Sequence, residues 1–233
     1  MSARFVVVDN AVAEPVRAAL SASIAASKLI GESQLTGGFS ATRGFGIACH
    51  VSALDEALRK APFLEPFVAV ALDDALRARA RPPSLIDRVG GALFGDVNAL
   101  YLNVLVVPPG GAVEKHTDAT LGTSRDDDRA LVPRAVCALY VDVPSDLTGG
   151  VLRLTEGNTV VGEVTPAPRR LVMFDGRLAH EVTATQASGP RTSCVCELYR
   201  LPRARLRTLP RVRVQSRGFD DVLARLRPPT PPE

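Results

Sequence analysis

The chain has 233 residues, 46% of them hydrophobic, and a formal net charge of +3. That is enough length and apolar material for one generous domain or two small ones. No apolar run approaches the roughly 18 residues of a membrane span. The short apolar stretch in "MSARFVVVDNAVAEP" lacks the long hydrophobic region and small-residue cleavage site of a signal peptide, so a cytoplasmic location is expected.

In chain order, "FVVVD" reads as a short strand, and "AVAEPVRAALSASIAASKLI" reads as a helix with Pro15 near its start, where proline is tolerated. The Gly-rich "LTGGFSATRGFGIACHV" predicts a loop or irregular strand. "SALDEALRKA" predicts a helix with Ser52 as its N-cap, and "EPFVAVALDDALRARA" a second one ended by Arg81–Ser84. Residues 10–90 are therefore expected to be mainly helical.

From about Ala99 the texture changes. "ALYLNVLVV", "RAVCALYVDV", "GGVLRL", "NTVVGEV", "RRLVMF", "HEVTAT" and "TSCVCELYRL" are short strand-like runs, most of them separated by Gly, Pro, Asp or Asn. Many short, evenly spaced strands predict a sandwich or jelly-roll barrel. The expected organisation is a single α+β domain over 1–233. It has a helical N-terminal part (1–95), a jelly-roll core (96–202) and a C-terminal extension (203–233), the last ending in a frayed "RPPTPPE".

Lysine and arginine together number 28, nearly all of them arginine. The tail "RLPRARLRTLPRVRVQSR" is basic, but it alternates Arg with aliphatic residues and has no interleaved aromatics, which reads as a solvated strand face and not as a nucleic-acid surface. The four cysteines, Cys49, Cys137, Cys194 and Cys196, mostly sit in apolar, strand-like surroundings and are read as reduced core residues.

Only three histidines occur, and one of them opens "HTD". On a strand, residues i and i+2 share a face, so His116 and Asp118 converge. His180 begins another strand in "HEV". Two histidines and one carboxylate form the facial triad of non-haem Fe(II) oxygenases, which leaves coordination positions open for a cosubstrate and O2. Downstream lies Arg191. If His180 and Arg191 open consecutive strands of a hairpin, a guanidinium reaches the same barrel mouth and can bind the far end of a dicarboxylate with two parallel hydrogen bonds. Thr192 or Ser193 can add a hydroxyl. His50, in "GIACHVS", has no such company and reads as structural.

The ordered set "HTD", "CALYVDVPSDLTGGVLRL", "RRLVMFD", "HEV" and "GPR", running from about Leu100 to Leu201, resembles the Fe(II)/2-oxoglutarate-dependent dioxygenases of the prolyl 4-hydroxylase-like branch. The resemblance implies a distorted double-stranded β-helix, a jelly-roll of cupin-like form, with the N-terminal helices packed on it. It implies iron ligands at His116, Asp118 and His180 and a 2-oxoglutarate-binding arginine at Arg191. It also implies that the Tyr140 hydroxyl reaches the same carboxylate and that Leu152 lines the cosubstrate pocket. The implied cofactors are Fe(II), 2-oxoglutarate and O2, with ascorbate as an optional reductant. The implied reaction is oxidative decarboxylation of 2-oxoglutarate coupled to C–H hydroxylation.

The polar loop Ala119–Pro133 is longer than a tight turn needs and is expected to act as a lid, with Asp126–Asp128 solvated or recognising an amine. Arg43 is a further candidate for a substrate carboxylate. The expected substrate is a small molecule, an amino acid or natural-product intermediate, with neither nucleic acid nor membrane as partner. The other readings are a prolyl hydroxylase acting on protein or peptide, a desaturase or cyclase of the same cofactor class, and a non-catalytic jelly-roll metal-binding protein. Because Asp118 is present where related halogenases carry Gly or Ala, hydroxylation and not halogenation is expected.

Overall fold

The computed structural model describes residues 4–32, 42–80, 97–121 and 131–215. Seven strands form one antiparallel sheet in the order β1 (Phe5–Val8), β9 (Leu171–Asp175), β5 (Ala135–Asp142), β12 (Arg191–Tyr199), β3 (Ala99–Val107), β2 (Arg43–His50) and β13 (Val212–Gln215). Four more form a second sheet in the order β4 (Val113–His116), β10 (Ala179–Val182), β7 (Leu152–Glu156) and β8 (Thr159–Val164). A two-residue ladder joins β6 (Thr148–Gly149) to β11 (Thr185–Gln186). This is the mostly antiparallel double-stranded β-helix with a few helices that the sequence predicts.

The period-2 alternation of the central strands assigns the two faces of the large sheet. On β5, Cys137, Leu139 and Val141 join an apolar core with residues of the N-terminal helices, while Val136, Ala138 and Tyr140 face the small sheet. On β12, Cys194, Cys196 and Leu198 lie on the helix side, and Arg191, Ser193, Val195 and Glu197 lie on the other. All four cysteines are buried free thiols, as expected.

Helix α1 (Glu14–Ala26) begins with Pro at its first turn and buries Leu20 and Ile24, one helical repeat apart, against the sheet. Arg17 and Ser21 on the same helix donate to the Asp142 carboxylate at 2.9 and 2.8 Å, which fixes α1 on the end of β5. A short helix α2 (Lys28–Glu32) follows, then α3 (Leu54–Lys60), α4 (Glu65–Ala71), α5 (Asp74–Ala80) and, near the C-terminus, α6 (Arg203–Thr208).

Several local expectations are corrected. "RGFGIACH" is a regular eight-residue strand inside the large sheet. Its glycines allow close approach: a Cβ at Gly46 would fall 2.1 Å from the Tyr101 hydroxyl. Ser52 is not an N-cap; a 3-10 turn over Val51–Ala53 precedes α3, whose Ala53 cap has no side-chain hydrogen bond. "EPFVAVALDDALRARA" is two helices, not one, interrupted at Leu72–Asp73. The basic tail holds helix α6 before β13, which pairs with β2. Arg81–Ser84, Asp126–Asp128, most of the 119–133 loop and the terminal "RPPTPPE" lie outside the described residues.

Candidate metal centre and cosubstrate pocket

Strands β4 and β10 place the two histidines. His180 and His116 are direct partners in the antiparallel ladder, and their rings lie 4.3 Å apart centroid to centroid. The strand β4 stops at His116, so Asp118 is not on a continuing strand as the i, i+2 argument assumed. The chain beyond β4 still brings its carboxylate between the rings: Oδ1 is 3.3 Å from His116 Nε2, and Oδ2 is 3.5 Å from His180 Nε2. One ligand atom from each of the three residues lies within 4.8 Å of the others, a spacing that could hold a metal ion.

The outward nitrogens are already committed. His116 Nδ1 lies 2.8 Å from the Glu114 carbonyl, and His180 Nδ1 lies 3.5 Å from the Leu178 carbonyl. A carbonyl can only accept, so Nδ1 carries the proton and Nε2 turns its lone pair inward. Two ring nitrogens and a carboxylate then point acceptors at one spot, an arrangement completed by a cation there. Phe174 packs edge-on against His180 at 5.0 Å and holds the ring from the side.

The three groups also perturb one another's titration. Burial alone would favour neutral His116, but the hydrogen bond and charge of Asp118 outweigh it and raise the pKa. At His180 burial dominates over the attraction of Asp118, and the pKa falls. At Asp118 burial opposes ionisation, yet the two histidines outweigh it and hold the carboxyl below its ordinary value.

Arg191 opens β12 and is 2% exposed. Its Nη1 donates to the Gly150 carbonyl at 2.8 Å, and its guanidinium lies 5.3 Å over the Tyr140 ring. Its Nε has no partner among the described residues, and no described carboxylate pairs with it. Burial lowers its pKa, with Tyr140 opposing. A buried cation without a counter-charge is costly, so this residue fits an incoming anion. Arg153 and Arg177, by contrast, are engaged, Arg153 by Glu163 and Glu181 and Arg177 by Asp175.

His180 and Arg191 do not form a hairpin. The first lies in the small sheet and the second in the large one, and they face each other across the barrel. Both line one cavity of about 260 Å³, together with His116, Asp118, Tyr140 and Leu152. The six residues expected to hold iron and 2-oxoglutarate therefore border the same space. Arg43 does not border it; it is exposed at the start of β2. His50 is structural, its Nε2 lying 2.9 Å from the Leu209 carbonyl.

Two residues lining the cavity, Asn103 and Glu197, were missed. The signal for Glu197 was present: counting by twos from Arg191 along β12 reaches it.

Residues 102–198 match the model of the 2OG-Fe(II) oxygenase superfamily. No curated protein matches the chain in sequence. Among solved structures, a Pseudomonas putida prolyl-4-hydroxylase is 20% identical with a TM-score of 0.60, the match covering 86% of this chain and 95% of that one. A Trichoplax adhaerens prolyl hydroxylase in complex with a hypoxia inducible factor oxygen degradation domain peptide is 17% identical with a TM-score of 0.57, covering 87% and 86%. A Burkholderia pseudomallei oxidoreductase of the 2OG-Fe(II) oxygenase family is 16% identical with a TM-score of 0.55, covering 84% and 86%. At these identities the structural likeness speaks to the fold. Together, the family match over residues 102–198, the fold and the His-Asp-His cluster support a non-haem iron dioxygenase of the 2OG-Fe(II) oxygenase type, using Fe(II), 2-oxoglutarate and O2. Among the described residues no helix is long and apolar enough to cross a membrane.

Proposed function

We propose that the protein is a 2-oxoglutarate-dependent hydroxylase of a small molecule, with iron held by His116, Asp118 and His180. Arg191 receives the distal carboxylate of 2-oxoglutarate, Tyr140 supports that guanidinium with its ring and lies where its hydroxyl can add a hydrogen bond, and Leu152 lines the apolar wall. The observation that carries this reading is the buried Arg191, lacking a carboxylate partner among the described residues, in the same cavity as three converging metal donors. When bound, Fe(II) supplies O2 activation coupled to oxidative decarboxylation, so that substrate C–H, O2 and 2-oxoglutarate become C–OH, succinate and CO2.

The protein's part is binding and exclusion. The histidine Nδ1 hydrogen bonds hold both rings in the tautomer that offers Nε2. Arg191 fixes one end of the cosubstrate, and the apolar wall of Leu152, Val182 and Phe174 keeps water from its length. A cavity of about 260 Å³ suits 2-oxoglutarate and a compact substrate group. An amino acid or a natural-product intermediate fits that description.

A second reading, a hydroxylase of prolyl residues in a peptide, is favoured by the peptide bound in the Trichoplax relative. Desaturation or cyclisation would use the same residues. The test has two stages. Anaerobic Fe(II) titration in the presence of 2-oxoglutarate should produce a weak visible charge-transfer band, and its absence would refute the site. Panels of free amino acids and of proline-containing peptides, read by succinate release and +16 Da products, then separate the substrate classes. Turnover on the peptides alone would replace the small-molecule reading with the peptide one.

A further inference from the structure

Glu197 is a carboxyl group, 4% exposed, on the face of β12 that looks into the cavity. Two neutral hydroxyls and the Thr120 backbone N–H serve it. Thr120 Oγ1 donates to its Oε1 at 2.8 Å, and the Tyr199 hydroxyl donates to its Oε2. No described lysine or arginine pairs with it. A carboxylate can accept about four hydrogen bonds, so acceptor capacity remains. Burial, and then the like charge of Asp118, push its pKa well up.

Asn103 lies on the same face of the large sheet. Its ladder partner is Val195, while that of Glu197 is Tyr101, so Asn103 and Glu197 are diagonal neighbours across β3 and β12. Asn103 is 7% exposed and lines the cavity, and its Oδ1 is buried with no partner among the described residues. A buried polar atom left unpaired costs free energy unless a ligand satisfies it. Two acceptors thus border one cavity beyond the residues assigned to iron and 2-oxoglutarate. Neither is needed by the chemistry of those two groups.

The charge balance points the same way. With Fe(II), 2-oxoglutarate, Asp118 and Arg191 in place the charges cancel. A cationic group beside Glu197 favours its ionised form and leaves the cavity neutral overall.

We propose that Glu197 and Asn103 form the substrate subsite and that it takes a protonated nitrogen, an ammonium or guanidinium group, on the molecule to be oxidised. This inference rests on the iron and 2-oxoglutarate assignment above and adds to it the charge class of the substrate. Thr120 and Tyr199 hold the carboxylate in place, and Asn103 Oδ1 accepts from a second N–H of the same group. Glu197 acts by positioning the substrate.

The test uses the full chain as its anaerobic Fe(II)–2-oxoglutarate complex, with the visible band confirming that iron and cosubstrate are bound. Calorimetric titration compares matched probes that differ in one positive charge: lysine and norleucine, arginine and citrulline, proline and N-acetylproline. At least one cationic member should bind ten-fold or more tighter than its neutral partner. In Glu197→Gln, which keeps the shape and removes the charge, that preference should fall to near unity while the visible band persists. Asn103→Leu should lower the preference less. Equal binding within every pair, no binding by any cationic probe, or a preference that survives in Glu197→Gln would each overturn the subsite. Absence of the band in the unmodified protein would instead refute the iron and 2-oxoglutarate assignment, and the subsite with it.

Discussion

His116 and His180 are cross-strand partners on β4 and β10, so a single ladder contact sets the distance between two metal donors. Because strands carry them, their separation does not depend on the conformation of a loop. Only Asp118 comes from outside a strand.

His116→Ala or His180→Ala should therefore abolish Fe(II) binding and turnover while leaving the fold intact. The apolar cores lie on either side of the large sheet and do not need the metal. Circular dichroism and thermal melting should match the parent, and equilibrium dialysis against Fe(II) should show loss of the site. Near-full activity in either variant would sink the triad.

Arg191→Ala should raise the 2-oxoglutarate requirement far more than it alters iron affinity. Truncating one partner of a buried charge pair costs about 2–5 kcal/mol, roughly 30-fold to several thousand-fold in affinity. Tyr140 contributes in two ways that mutation can separate. Tyr140→Phe keeps the ring under the guanidinium and loses at most one hydrogen bond to a charged group, about 1.5–3 kcal/mol. Tyr140→Ala also removes the cation–π platform. The order of 2-oxoglutarate affinities should be parent, Phe, Ala, and titration of the visible band measures it. An unchanged affinity in Arg191→Ala would reassign the carboxylate to another residue.

The Gly149–Gly150 pair builds the wall beside Arg191. Gly149 has φ +72°, and a Cβ there would sit 2.0 Å from the Ala184 carbonyl oxygen. Gly150 has φ +66° and supplies the carbonyl that accepts from Arg191. Gly149→Ala should destabilise by at least the roughly 1–2 kcal/mol of a left-handed non-glycine residue. It should also weaken 2-oxoglutarate binding by displacing that carbonyl. A melting temperature within a degree of the parent, with unchanged affinity, would contradict this.

Much of the fold was legible because its strands are regular in spacing, while the roles of Tyr140 and Leu152 were implied only by the family resemblance. Ala99–Val107 and the strands carrying Cys137, Met173 and Cys194 are apolar runs bounded by turn residues, and they are strands. The N-terminal part was harder. The strand Arg43–His50 is masked by its own two glycines, Gly44 and Gly46, and by Gly37 and Gly38 before it; at Gly46 the backbone must approach Tyr101 closely, and tertiary contact overrides propensity there. The pairing of His180 with His116, and not with the strand of Arg191, is a long-range choice that local pattern cannot encode. Glu197 is in phase with Arg191 along β12, and the topology adds that this face of the sheet looks inward.

Glu197 also gives a prediction for the ligand-free protein. Its pKa is raised in the folded state, by burial and then by Asp118. For a carboxyl raised on folding, the native state binds the proton more tightly than the unfolded chain does. Its stabilising contribution is complete below the unfolded value, about 4.3, and is lost as pH rises toward the folded value. Glu197→Gln has no proton to lose and should escape that loss. Without iron or 2-oxoglutarate, the variant should melt close to the parent near pH 4 and above it at pH 7–8. Each kcal/mol gained corresponds to roughly 2–4 °C in a chain of this size. Melting curves of the two proteins across that range decide the matter. A gap that is constant with pH would show that Glu197 ionises no differently on folding, and a gap that widens toward acid would reverse the sign.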